Sequence, residues 1–142
     1  MRRSLKRWFV IHAVVSLLFG LGLYFYPARL GGLVGWTDVD VMMSRMYGAS
    51  LLALSAGSAL AYSAHTWDEV RVKVALEAVF CSLSAAIGLY GVLFEDAPRF
   101  VWLYVGLMDV FAVVWAYYLV QQRAASRVAP PTANGPLGKP VA

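Results

Sequence analysis

Residues 100–119, reading Phe-Val-Trp-Leu-Tyr-Val-Gly-Leu-Met-Asp-Val-Phe-Ala-Val-Val-Trp-Ala-Tyr-Tyr-Leu, form an apolar run interrupted by a single charge, Asp109. A helix rises about 1.5 Å per residue, so this run is long enough to cross the roughly 30 Å hydrocarbon core of a bilayer. It would carry Asp109 to within about 15 Å of either end, near the bilayer centre. A carboxylate at that depth costs about 2.5–3.5 kcal/mol on insertion scales unless another group satisfies it. The chain is therefore expected to fold in lipid, with some of its architecture arranged around one expensive residue.

Three further apolar segments precede this one. The first, about residues 8–26, follows the basic start Arg2-Arg3-Ser-Leu-Lys6-Arg7 and ends at Tyr24-Phe25-Tyr26-Pro27. The start resembles a signal peptide, but the apolar part is too long and no small-residue cleavage site follows it, so a retained helix is expected. Pro27 disfavours helix in the residue before it and is read as the end of that helix. Residues 29–40, with Gly31, Gly32, Gly35 and Trp36, read as an interfacial loop. The second segment is about 45–64 and the third about 72–94, joined by a short polar turn, His65–Arg71. Pro98 suits the first turn of the fourth segment, about 99–120. Residues 123–142, rich in proline and poor in large apolar side chains, read as a disordered cytoplasmic tail.

Short connections favour antiparallel sequential neighbours, so the expected fold is all-α: an integral membrane, up-down-up-down four-helix bundle over residues 1–122. Composition agrees. The 142 residues are 61% hydrophobic and 14% charged, against about 45–50% and about 25% for a soluble domain. The net charge of +4 is spread over the flanks of the apolar segments. No basic helix or binding motif accompanies it, so nucleic acid is not an expected partner. Nine basic residues fall on the side of the two termini and the central turn. Only Arg29, Arg45 and Arg99 fall on the other side. That asymmetry places both termini in the cytoplasm and the protein in the plasma (inner) membrane.

Few polar groups lie inside the apolar segments. Depth counting places Ser16, Ser55, Ser58, Ser82 and Ser84 near the level of Asp109. One reading is a satisfied polar layer that sets helix register, with interhelical hydrogen bonds of about 0.6 kcal/mol each. The other is a proton or substrate site, because intramembrane ionisable residues commonly mark pathways. His12 and Glu77 lie about one turn inside the cytoplasmic boundary on different helices. Were those helices neighbours, the two would pair and could relay protons from the cytoplasm toward Asp109. Alternatively Glu77 pairs with Lys73 four residues earlier. Near the outer rim, Arg45 is expected to pair with Asp38, Asp40, Glu95 or Asp96, or to face an anionic headgroup.

Other chemistries find little support. The single cysteine, Cys81, leaves no intramolecular disulfide, CxxC pair or thiolate zinc site, and reads as a packing residue. Only two histidines occur, and His65 falls in a turn, which argues against bis-histidine haem. No hydrolase, P-loop or dinucleotide motif is found. No metal and no cofactor are expected.

The basic start, the aromatic-Pro end of the first segment, the glycine-containing loop, Ser44-Arg45-Met46-Tyr47-Gly48 and Gly106-Leu107-Met108-Asp109 together resemble small bacterial four-helix membrane proteins of the DoxX-like kind. The likeness covers about residues 5–120 and implies their four-span fold. DoxX proteins proper are associated with quinone-linked sulfur oxidation, but this chain offers no further cysteine or metal cluster for such chemistry. The functional expectation is a non-enzymatic accessory or interaction subunit. Besides the lipid bilayer, its partner would be another membrane protein or a second copy, met through small-residue stripes such as Ala49, Ala53, Gly57 and Ala61. The alternatives are a small proton-coupled transporter using Asp109 and a DoxX-like quinone-linked electron-transfer subunit.

Overall fold

The computed structural model describes residues 3–36 and 38–128, with side chains as far as Gln122. The described residues form five α-helices and no strand: α1 (Arg3–Phe25), α2 (Pro27–Leu33), α3 (Val41–Ser63), α4 (Trp67–Phe94) and α5 (Phe100–Val128). Three of them, α1, α4 and α5 as far as Gln122, are long and apolar enough to cross a membrane. The fourth long helix, α3, matches α1 at 23 residues, but Arg45 and five serines dilute its apolar character.

Local chemistry sets the boundaries. Pro27 ends α1 as expected, yet it also opens α2, where its missing N–H and fixed φ suit the first helical position. The segment expected to be loop from residue 29 is thus helical to Leu33. Gly31 is required there, because a Cβ would lie 2.3 Å from Val39 Cγ2 and 2.7 Å from the Trp36 carbonyl oxygen. Asp40 caps α3, its side chain accepting from the Met43 N–H at 2.9 Å. α4 begins five residues before the expected position 72, because Thr66 and Glu69 form a reciprocal capping box. α5 runs on to Val128, so the tail expected from residue 123 begins inside a helix. Residues 129–142 lie outside the described residues.

The long helices pack as two hairpins. Along α1 and α3, Lys6 lies over the Tyr62 ring, His12 bonds Ser58, and Gly20 meets Leu52, so the two run in opposite directions. Their backbones touch at Gly48, where a Cβ would stand 2.7 Å from the Tyr24 nitrogen and 3.0 Å from the Gly20 oxygen. The small-residue stripe read on α3 divides. Ala61 is buried and Gly57 receives the Lys73 side chain, whereas Ala49 and Ala53 face outward. α4 and α5 pair through Gly88 against Tyr104 and Val105.

The hairpins join at one end, around Leu5, Phe9, Ala61, Ala64, Val70, Val74, Phe111, Trp115 and Tyr118. Phe9 stacks on Trp115 with centroids 5.2 Å apart. Burying such aromatic and aliphatic side chains excludes water from this end of the interface. Towards the other end the hairpins diverge and leave a cleft of about 950 Å³. Outward faces are apolar: Leu18, Leu60, Leu83, Ile87 and Val113 are all exposed. Together with the three spanning-length helices, that surface defines a helical membrane protein.

Candidate functional site

At the junction of the hairpins lies a buried cluster of ionisable side chains. His12 comes from α1, Ser58 from α3, and Lys73, Glu77 and Cys81 from successive turns of α4. The four-residue spacing on α4 sets its three side chains along one face. His12 Nε2 lies 3.2 Å from Glu77 Oε2. His12 Nδ1 lies 2.9 Å from Ser58 Oγ, and Nε2 lies 3.4 Å from Ser16 Oγ, one turn along α1. Lys73 donates to Glu77 Oε1, and to the Leu54 carbonyl oxygen at 3.0 Å. Glu77 has no solvent exposure and His12 only 2%.

The walls explain why these positions stay together. The His12 imidazole meets the rings of Phe111 and Trp115 edge-on, with centroids 4.9 and 5.7 Å away. Gly57 on α3 leaves room for the Lys73 stem, since a Cβ there would lie 2.9 Å from Lys73 Cε. A buried carboxylate needs a compensating cation, and Lys73 supplies it while its stem reaches towards the surface. Glu77 Oε2 is placed close to His12 but makes no aligned hydrogen bond among the described residues.

His12, Glu77 and Cys81 also offer nitrogen, oxygen and sulfur atoms within 4.8 Å of one another. A tetrahedral metal needs donors about 2.0–2.3 Å from the ion, and the Lys73 ammonium already neutralises the carboxylate. The arrangement fits an ion cluster better than a metal centre. Cys81, read from the sequence as a packing residue, is indeed fully buried, but it packs against this cluster.

Two cavities flank the cluster. The larger is the cleft, which Ser16, Ser84, Tyr47, Tyr104 and Phe111 line together with apolar side chains. The Tyr47 and Tyr104 hydroxyls are 2.8 Å apart across it. Asp38, Asp40, Glu95 and Asp96 stand at its mouth. The smaller, about 350 Å³, lies beyond Lys73 and is bounded by Gly57, Leu60, Glu69 and Val70.

Of the residues singled out from the sequence, His12 and Glu77 come together as a pair, and Glu77 engages Lys73 as well. Ser16 and Ser58 join them, although the sequence had grouped these two serines with Asp109. Ser55 is buried apart from the cluster, donating to the Ala13 carbonyl at 2.8 Å. Ser84 is buried beside the cleft, and Ser82 is exposed and bonds its own helix at Ala78. Asp109 is not in any polar layer. It is exposed on the outward face of α5, because the inward positions are Val101, Val105, Met108, Phe111, Trp115 and Tyr118. Depth counting gave its level and missed its direction, which a 100° step per residue from Met108 and Phe111 would have supplied. Arg45 is likewise exposed, with no ion pair to the outer carboxylates among the described residues, and Asp40 is used as a helix cap.

Fold and cluster thus define a helical membrane protein with a buried histidine–glutamate–lysine group between two cavities. Comparison with protein-family models, curated proteins and solved structures returns no match.

Proposed function

We propose that this chain is a non-enzymatic interaction subunit of the plasma membrane that docks through the outward face of α5. The observation that carries the reading is Asp109, exposed midway along a helix of spanning length. Facing lipid, that carboxylate costs about 2.5–3.5 kcal/mol on insertion scales. A basic or hydrogen-bond-donating side chain on a neighbouring transmembrane helix would offset this cost, and charge complementarity makes such a helix the partner. Gly106, one turn before Asp109, has no atom of another helix within 4 Å of where its Cβ would be, which leaves space for close approach.

The reading includes four crossings in an up-down arrangement, with both termini cytoplasmic. The length of α3, its antiparallel contacts with α1 and the bias of basic residues support it. The likeness to DoxX-like proteins rests on layout alone. Less supports the other two functions. A transporter built on Asp109 needs that residue at a cavity, and Asp109 does not line the cleft. No observation bears on quinone-linked electron transfer.

Native gel migration in mild detergent tests the docking. The wild-type chain should migrate in a complex with a membrane protein that carries Lys, Arg or Gln at mid-span, and Asp109→Asn should release free monomer. A wild-type chain that migrates as monomer or as homodimer contradicts the proposal.

A further inference from the structure

We infer that Lys73, Glu77, His12 and Ser16 form a proton path joining the two cavities. Lys73 lines the smaller cavity and Ser16 lines the cleft. Between them polar atoms follow one another at short range, and the Glu77–His12 step, which has no aligned hydrogen bond in this structure, is bridged when the carboxyl group turns. Lys73 Nζ contacts Glu77 Oε1, Glu77 Oε2 lies 3.2 Å from His12 Nε2, and that nitrogen lies 3.4 Å from Ser16 Oγ. Four different side-chain chemistries on two helices follow one another through the driest part of the protein.

The surroundings suit protons and exclude larger ions. Phe9, Val74, Phe111 and Trp115 seal the junction, each at 1% exposure or less. Among the described residues, His12, Lys73, Glu77 and Cys81 on α1 and α4 are the titratable groups along the path, and the Tyr47 and Tyr104 hydroxyls, on α3 and α5, line the cleft at its far end. From α3 the path meets the Ser58 hydroxyl and the Leu54 carbonyl, and from α5 the Phe111 and Trp115 rings. Glu69 stands at the entrance, in the wall of the smaller cavity. Glutamate and histidine in series are groups that proton relays in membrane proteins use.

Each transfer balances. The Lys73 ammonium gives a proton to Glu77 Oε1, and a hydrated proton in the smaller cavity restores the ammonium. The Glu77 carboxylic acid turns its hydroxyl to His12, so that the O–H bond breaks as the Nε2–H bond forms. The imidazolium passes that proton to Ser16 Oγ while the Ser16 hydroxyl proton leaves to water in the cleft. One proton enters, one leaves, and every group returns to its starting state. Asp109 takes no part, so this path is independent of the docking surface.

The test is proton flux into vesicles holding the purified chain, an internal pH-sensitive dye and a potassium-valinomycin potential. The wild-type chain should collapse the pH gradient faster than protein-free vesicles do. Glu77→Gln, which keeps the shape but cannot carry a charge, should lose that excess flux. Ser82→Ala, on an exposed face, should keep it. Ser16→Ala changes no charged group and should reduce the flux even where Glu77→Gln fails to fold. Wild-type flux at the protein-free rate, or unchanged flux in both Glu77→Gln and Ser16→Ala, overturns the proposal.

Discussion

Nε2 of His12 lies 3.2 Å from Oε2 of Glu77, joining α1 to α4 across the seam between the two hairpins. Both side chains are buried, and Lys73 holds the other carboxylate oxygen. Breaking a buried ion pair by removing one partner strands the other, at a typical cost of about 3–5 kcal/mol. Glu77→Ala should therefore destabilise the purified chain by about that amount, read from thermal unfolding in detergent. Glu77→Gln, which still accepts and donates hydrogen bonds, should cost clearly less.

Close helix approach makes a second prediction. Gly48 lies against the backbone of α1, and its absent Cβ would sit 2.7 Å from the Tyr24 nitrogen. Gly48→Ala should force α1 and α3 apart and cost about 1–3 kcal/mol, as overpacking does. Gly32, on α2, has open space around its Cβ position. Gly32→Ala should be neutral or stabilising by up to about 1 kcal/mol, the helix propensity difference.

The start of α4 makes a third. Thr66 and Glu69 cap each other's backbone groups, with Thr66 N donating to Glu69 Oε1 at 3.1 Å. Thr66→Ala should cost about 1 kcal/mol. Hydrogen exchange should localise the loss to the first turn of α4, with the core around Val74 and Trp115 still protected.

The Tyr47–Tyr104 hydrogen bond closes the floor of the cleft between α3 and α5. Tyr104→Phe removes one hydroxyl and should cost about 0.5–1.5 kcal/mol. The double variant with Tyr47→Phe should cost less than the sum of the two single changes, because each removes the same bond.

Much of this molecule is legible in its sequence. Apolar run lengths gave the long helices. The pairing of His12 with Glu77 was conditional on α1 and α4 being neighbours, which the sequence alone does not decide. Other features were readable but missed. Thr66-Trp67-Asp68-Glu69 carries the capping-box spacing, and Met108, Phe111, Trp115 and Tyr118 follow the inward period of α5. That period would have turned Asp109 outward at once. The Gly20–Gly48 contact and the cleft arise from which helices pair, so no local pattern announces them.

Photo-crosslinking along α5 tests the docking face most directly. A photoreactive residue at Gly106 or Val110, beside Asp109, is compared in native membranes with one at Leu83 on the outward face of α4. The account predicts an adduct of one defined mass from the α5 positions only. Its crosslinked peptide should be a transmembrane helix bearing a basic or amide side chain at mid-span, and Asp109→Asn should abolish it. Equal labelling from Leu83, or an adduct that survives Asp109→Asn, would contradict the account.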